Sequence, residues 1–298
     1  MDKTYDIYSN SKEFILWPLP KDKFLDVLYG KNDINNVTKV ITEVVNGELV
    51  GFISVKSRVV EGENVGSVVF MFIVDKYRDR DIGHKLLQNS LDWFKSQSIK
   101  SVKFGRNMGS YFWPGVPENL PWVQNLLKEE GFILTEGPVD MSADITNFSA
   151  SLNVYKTLND NGIIIEFSNK KYADLTLQFT KENFPNWYEY YLDDLTKEKF
   201  NEVFFAHKGD EIVAVSKLWI GGNWDLLFEN NVGGGGALGV SEKWRGKGIG
   251  LAMKTWGTEI LRDKGVKYVW IGWTSSIGFY EKLGFKVWRK YFDAELHL

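Results

Sequence analysis

The chain has 298 residues, 44% apolar and 25% charged, with a net charge of −3, the balance of a soluble globular protein long enough for two domains. Its charges of both signs are scattered, so the basic stripe that nucleic acid requires is missing, and nucleic acid is not an expected partner. The absence of cysteine excludes disulfides, thiolate metal sites and a cysteine nucleophile, and the three histidines, His84, His207 and His297, are too far apart in sequence to suggest a metal site. The polar start lacks the apolar core of a signal peptide. The longest apolar run, 68–74, is too short to span a bilayer. A cytoplasmic protein with no membrane partner is expected.

Along the chain, the β-branched runs 40–45 and 49–55 flank Asn46-Gly47, the strongest short hairpin signal. A strand-like run follows at 68–74, then a turn carrying Arg78, an amphipathic helix and a strand at 99–105. Residues 106–120, rich in Gly, Pro, Asn and aromatics, read as a loop, either a wall beside a pocket or a segment packed on its own aromatics. Residues 142–161 are polar and aperiodic, which suggests two domains, 1–150 and 151–298, with a fresh strand opening at 163–167.

The second half repeats this order. A hairpin spans 203–206 and 212–220 around Lys208-Gly209-Asp210. After the glycine run Gly233-Gly234-Gly235-Gly236 comes a strand at 237–240, then a glycine-rich turn. A helix with Leu251, Met253, Trp256, Ile260 and Leu261 at roughly helical spacing ends near Lys264-Gly265, and a strand follows at 266–272. Arg245 lies 167 residues after Arg78 (245 − 78), and the strands at 266 and 99 keep the same offset (266 − 99). The closing Gly131-Phe132 and Gly284-Phe285 are only 153 apart, so the first half carries 14 extra residues (167 − 153), assigned to 106–120. Alternating strands and helices of these lengths imply a mixed sheet with helices on its faces in each half, an α/β class.

The turn Arg245-Gly246-Lys247-Gly248-Ile249-Gly250 follows a strand and opens a helix. Backbone N–H groups at such a turn can face an anion, its glycines admit a phosphate closely, and Arg245 and Lys247 add positive charge. A tight basic turn with no ligand is the competing reading. Downstream stands Ser276-Ile277-Gly278-Phe279-Tyr280-Glu281-Lys282-Leu283-Gly284-Phe285. Together, in this order, the two motifs resemble the Gcn5-related N-acetyltransferase (GNAT) family, Arg245, Gly248 and Gly250 matching its R-x-x-G-x-G motif and 279–285 its later segment.

The resemblance implies two tandem GNAT-like domains, with acetyl-CoA as acetyl donor and no metal. The pyrophosphate would lie on residues 245–250, the pantetheine arm along Leu238, Gly239 and Val240, and Ser276 beside it. Tyr280 would be the general acid: a phenol of pKa about 10 can protonate a departing thiolate of pKa near ~8.5 without being ionised at rest. A core tyrosine is the competing reading. Trp273 and Ser276 stand where many members have Asn and a small residue. Glu182, Trp187 and Tyr188 fall where the family places a variable connection over the acceptor site, although aromatics there also serve as core. The expected partner is a primary amine of a small molecule or peptide; a non-catalytic acyl-CoA-binding or regulatory module is the alternative.

In the first half the turn reads Arg78-Asp79-Arg80-Asp81-Ile82-Gly83, and Leu127 stands at the place of Tyr280. Aspartates add bulk and negative charge where a diphosphate would bind. A degenerate first domain that does not bind cofactor is therefore expected.

Overall fold

The computed structural model describes residues 3–30, 36–60, 62–78, 81–105, 112–151 and 153–298. Two compact units divide the chain, residues 1–139 with 288–298, and residues 140–287. The division falls at 139/140, where the sequence reading has 150/151, and the first unit takes back the end of the chain.

Unit 1 opens with three helices, α1 (Lys3–Ser9), α2 (Lys12–Leu16) and α3 (Lys21–Tyr29), and three antiparallel strands, β1 (Val37–Val45), β2 (Glu48–Val60) and β3 (Glu63–Ile73). Asn46 and Gly47 have φ of 52° and 81°, the two left-handed residues that a tight hairpin turn demands. Helix α4 (Ile82–Ser96) buries Leu87, Leu91 and Phe94, spaced four and three apart, with Leu86 beside them, which puts them on one face. Strand β4 (Ser101–Phe104), the short β5 (Val116–Pro117), α5 (Pro121–Glu129) and β6 (Ile133–Asp144) follow. The chain's last strand, β12 (Lys286–His297), pairs antiparallel with β4, Glu295 opposite Lys103 and His297 opposite Ser101. Strand patterning specifies a face but not a neighbour, so this return was not legible.

Strands β3 and β4 run parallel, paired only from Gly66 to Val68. Past that point, buried Trp113 lies 4.8 Å from Phe70 of β3 and 6.3 Å from Phe104 of β4, ring centre to ring centre. Phe112 adds contacts to Phe70 and Tyr8. The described part of the 106–120 insertion is thus packed on aromatics at the place where β3 and β4 part; residues 106–111 lie outside the described residues.

Unit 2 begins with the end of β6 and continues through α6 (Lys156–Asn161), β7 (Ile164–Phe167), α7 (Ala173–Asn183), α8 (Tyr188–Thr196), β8 (Val203–Lys208), β9 (Glu211–Ile220), β10 (Val232–Val240), α9 (Ile249–Asp263), β11 (Tyr268–Thr274) and α10 (Ile277–Glu281). Helices α4 and α9 are both 15 residues long and start 167 apart (249 − 82), so the repeat seen in the sequence is kept in the fold. The buried stripe of α9 is shifted from the expected one. Ala252, Met253, Lys254, Gly257, Thr258 and Leu261 are buried, while Leu251, Trp256 and Ile260 are half-buried, Trp256 resting on Phe167 and Phe204. Tyr172, Phe179, Tyr191, Leu195, Phe205 and Val215 form the core beneath α7 and α8.

Candidate functional site

The glycine run 233–236 is strand. A Cβ on Gly234 would come within 2.4 Å of the Trp219 indole, and one on Gly233 within 3.2 Å of Leu261. The alternation of a strand puts Gly234 and Gly236 under Trp219, and Gly233 and Gly235 toward α9. Strand β10 is parallel to β11 only at Val232, Gly233 and Gly234. Its continuation, through a register shift between Gly236 and Gly239, stays on β9, with Gly239 opposite Val215 and Val240 opposite Ala214. Beyond Gly234 the two strands therefore fork, leaving the β11-facing edge of Leu238, Gly239 and Val240 with no strand ladder among the described residues. Ala237, at the irregularity, has φ of 47°, and its carbonyl accepts a 2.6 Å hydrogen bond from the buried Tyr191 hydroxyl.

The turn after β10 has the form that an anion cradle needs. Gly246 and Gly248 have φ of 74° and 83°; a Cβ at 246 would meet nothing within 4 Å, and at 248 only the Thr157 hydroxyl, at 3.7 Å. Backbone strain, and not packing, calls for glycine there. At Gly250 neither applies: its φ is not positive, and a Cβ would sit 3.5 Å from Val240 and 3.7 Å from Phe279, so its bareness leaves room for a ligand at the helix mouth. Gly248 caps α9 without a side-chain hydrogen bond; the N–H groups of Ile249, Gly250 and Leu251 in the first turn have no intrahelical acceptors, and the Ala252 N–H bonds the Gly248 carbonyl at 3.0 Å. Arg245 is braced by a 3.0 Å hydrogen bond from Nε to the Val240 carbonyl, and Lys247 lies 4.6 Å over the Trp244 ring.

Tyr280, on α10, is 8% exposed. It packs edge-on against Phe279 and Phe285 at 4.9 and 5.9 Å, and burial pushes its phenol above the usual value. Among the described residues its hydroxyl makes no hydrogen bond. Ser276 precedes α10 and supplies backbone: its carbonyl accepts from the Phe279 N–H, and its N–H donates 3.0 Å to the Thr274 hydroxyl. At the departure from the family pattern, Trp273 has φ of 52°, a conformation that Asn tolerates better than a bulky residue. The Asp140 carboxylate accepts its N–H at 2.9 Å.

Lys254, which the sequence reading did not single out, projects from α9 beside the fork and is 5% exposed. Its Nζ stands 3.1 Å from where a Cβ on Gly235 would be, 6.0 Å from the Tyr280 ring centre and 5.2 Å from that of Phe285. Burial alone lowers its amine to about 7. A signal was present, a lysine in the apolar stripe of an amphipathic helix, but long lysine stems normally carry the charge out to water.

The acceptor-side candidates are spread out. Glu182 is exposed and accepts from Gln178 at 2.9 Å. Trp187 stacks on Phe184 at 4.9 Å, and Phe184 in turn fills the place of a side chain at Gly239, 2.3 Å from a Cβ there. Tyr188 lies under the Lys181 ammonium at 5.8 Å.

In unit 1 each counterpart is closed. Arg78 repeats the brace of Arg245, Nε to the Ile73 carbonyl at 3.0 Å, but its guanidinium is held by Glu13 at 2.6 Å and Asp75 at 2.8 Å. Asp81 has φ of −62°, so the left-handed turn of Gly248 is missing. A Cβ on Gly83, the counterpart of Gly250, would strike Leu126 at 2.9 Å. Leu127 is fully buried; Asp79 and Arg80 lie outside the described residues.

No helix among the described residues is long and apolar enough to cross a membrane, and no group of three His, Asp or Glu there could hold a metal. No curated protein matches the chain. Among solved structures, it is similar to a GCN5-related glucosamine N-acetyltransferase region of a fungal multi-domain GH3 β-N-acetylglucosaminidase, with 22% identity, a TM-score of 0.90 and 99% of this chain covered. The chain spans 37% of that protein's length. A tandem GNAT protein from the clavulanic acid biosynthesis pathway is similar at 13% identity and TM-score 0.59, covering 97% of this chain and 96% of that one. A GCN5-related N-acetyltransferase from Sphaerobacter thermophilus matches at 15% identity and TM-score 0.59, covering 86% and 82%. These likenesses speak for the fold. The model of the acetyltransferase (GNAT) family matches residues 2–110 and 170–285, one stretch in each half, and the chain therefore belongs to the GNAT acetyltransferase family as a tandem, two-domain member.

Proposed function

We propose that this protein is an acetyl-CoA-dependent N-acetyltransferase whose unit 2 holds the cofactor and whose acceptor is a primary amine of a small molecule or peptide. The observation that carries the reading is the open fork between β10 and β11, bordered within one unit by an unblocked helix N-terminus with left-handed glycines. Residues 245–250 would hold the pyrophosphate by backbone N–H groups and the charges of Arg245 and Lys247. Leu238, Gly239 and Val240 would pair with the pantetheine arm through their free edge, beside Ser276. Acetyl-CoA supplies an acetyl group activated as a thioester.

Tyr280 keeps its proton at neutral pH, because burial raises a phenol that already titrates near ~10, and delivers it where the sulfur departs. Unit 1 binds no cofactor in this reading, since its arginine is neutralised and its fork is filled by Trp113. The acceptor side is assigned to the α7–α8 connection, with Glu182 and Tyr188 at its surface and Trp187 supporting Phe184. Glucosamine, the amine in the name of the fungal neighbour, is the first acceptor to try. Lack of cysteine suits a reducing compartment such as the cytoplasm.

Calorimetric titration of acetyl-CoA into the wild type and Gly248→Asp tests the assignment. One micromolar site per chain is expected, lost in Gly248→Asp, where a left-handed L-residue costs roughly 1–2 kcal/mol and a carboxylate repels the diphosphate. Binding that survives in Gly248→Asp refutes the cradle. Tyr280→Phe should keep binding and lose CoA release; full retention of activity would instead favour a binding or regulatory module in which Tyr280 is inert.

A further inference from the structure

Lys254 is a residue the mechanism above leaves unused, and its surroundings are unusual for a lysine. The other buried lysine of unit 2, Lys217, is paired with Asp194 and donates 3.2 Å to the Tyr190 carbonyl. Lys254 has no such partner: among the described residues its Nζ makes no hydrogen bond and no ion pair, and the rings of Tyr280 and Phe285 lie 6.0 and 5.2 Å from it. On the β10 side it meets Gly235, whose missing Cβ provides the space the ammonium occupies. On its own helix Gly257 and Thr258 follow it, the Thr258 hydroxyl bonding the Lys254 carbonyl. No carboxylate and no second cation contributes to its lowered affinity for a proton, which leaves Tyr280 as the titratable side chain set against it.

A buried cation without an anion is costly, and ionisable groups perturbed by burial cluster at functional sites. The anion available at this place is the conjugate base of Tyr280. Burial keeps the phenol protonated at rest, but it equally disfavours the phenolate left behind when the proton is given up. A positive charge 6.0 Å from the centre of the Tyr280 ring, in buried surroundings, lowers that cost.

We propose that Lys254 is a positioning residue for Tyr280, its ammonium supplying the counter-charge that lets the phenol release its proton at the fork. The inference rests on the reading of Tyr280 as proton donor. In the step it assists, the thioester C–S bond breaks with its electron pair going to sulfur, the O–H bond of Tyr280 breaks with its pair left on oxygen, and the proton forms S–H; the proton that the acceptor nitrogen sheds on becoming an amide returns through water to the phenolate. Lys254 stays charged throughout and exchanges no bond.

Because the chain has no cysteine, a thiol-reactive dye reads released CoA without background. CoA release with glucosamine, or with the amine that the wild type turns over, is followed across pH 6 to 10 for wild type, Lys254→Met, Tyr280→Phe and the double variant, with the acetyl-CoA Kd of each. Lys254→Met, a similar shape without charge, is expected to lose kcat about tenfold or more while Kd holds within about twofold. The fall in wild-type kcat as the amine deprotonates, on the alkaline side of about 7, disappears in Lys254→Met. The double variant is no slower than Tyr280→Phe, since Lys254 acts through that phenol.

An unchanged kcat and pH profile in Lys254→Met, or losses that multiply in the double variant, overturn the proposal and leave the role of Tyr280 standing. A wild type that binds no acetyl-CoA, or that binds it and releases CoA to no amine, overturns the reading of Tyr280 and this inference with it.

Discussion

Replacing Lys254 by methionine should make the protein more stable at acid and neutral pH, and the gain should fade as the pH rises. Burial lowers the amine from 10.5 to about 7, and at ~1.36 kcal/mol per pH unit that gap corresponds to about 5 kcal/mol of destabilisation, an upper figure because a charged side chain can swing toward water. The sign follows from proton counting. Below pH 7 the amine is charged in both the folded and unfolded states, so the full penalty is present. Between 7 and 10.5 the unfolded chain binds more protons than the folded one, so wild-type stability climbs with pH. Near pH 10.5 the penalty is gone. Methionine feels none of this, so its advantage is greatest at pH 6 and nearly absent by pH 10. With roughly 2–4 °C per kcal/mol for a protein of this size, the Tm difference at pH 6 should reach up to about 10–20 °C. Scanning calorimetry of both proteins at pH 6, 8 and 10 reads it directly. A Tm difference that does not change with pH would refute the reasoning, because the ammonium would then be as well solvated in the fold as out of it. Greater stability with lower activity is the trade expected of a functional group held in an unfavourable place.

Two further substitutions test the parts that shape the site. Tyr191→Phe leaves the Ala237 carbonyl without its 2.6 Å partner. A loss of about 1–3 kcal/mol should appear in thermal melts, together with weaker acetyl-CoA binding by calorimetry, because the irregularity at Ala237 sets the course of residues 238–240; unchanged Tm and Kd would mean that the bond does not hold the fork. Trp113→Ala empties the place where β3 and β4 part and should cost about 3–5 kcal/mol in denaturant unfolding, whereas a loss under about 1 kcal/mol would show that the ring is not the plug its contacts describe.

Much of the fold was legible because its signals are local. Asn46-Gly47 announces a hairpin through the two left-handed residues it tolerates, and the offset of 167 between Arg78 and Arg245 carries over to helices of equal length. The same locality made the closed state of unit 1 readable in part: Asp81 standing for Gly248 and Leu127 for Tyr280 are visible side by side in the sequence. The glycine run 233–236 does not by itself tell strand from loop, since bare glycine serves both. Trp219 settles it, an indole contributed by the neighbouring strand β9, more than a dozen residues earlier.

What the amino-acid sequence by itself determined is therefore the repeat, the order of elements and the glycine turn at residues 245–250, all properties of neighbours along the chain. The tertiary structure alone decided that β12 returns to β4, that Phe112 and Trp113 close the fork of unit 1, and that Lys254 points inward at Tyr280. Those three depend on which distant surfaces meet, and hydrophobic period states only that a side chain is buried, never what it is buried against.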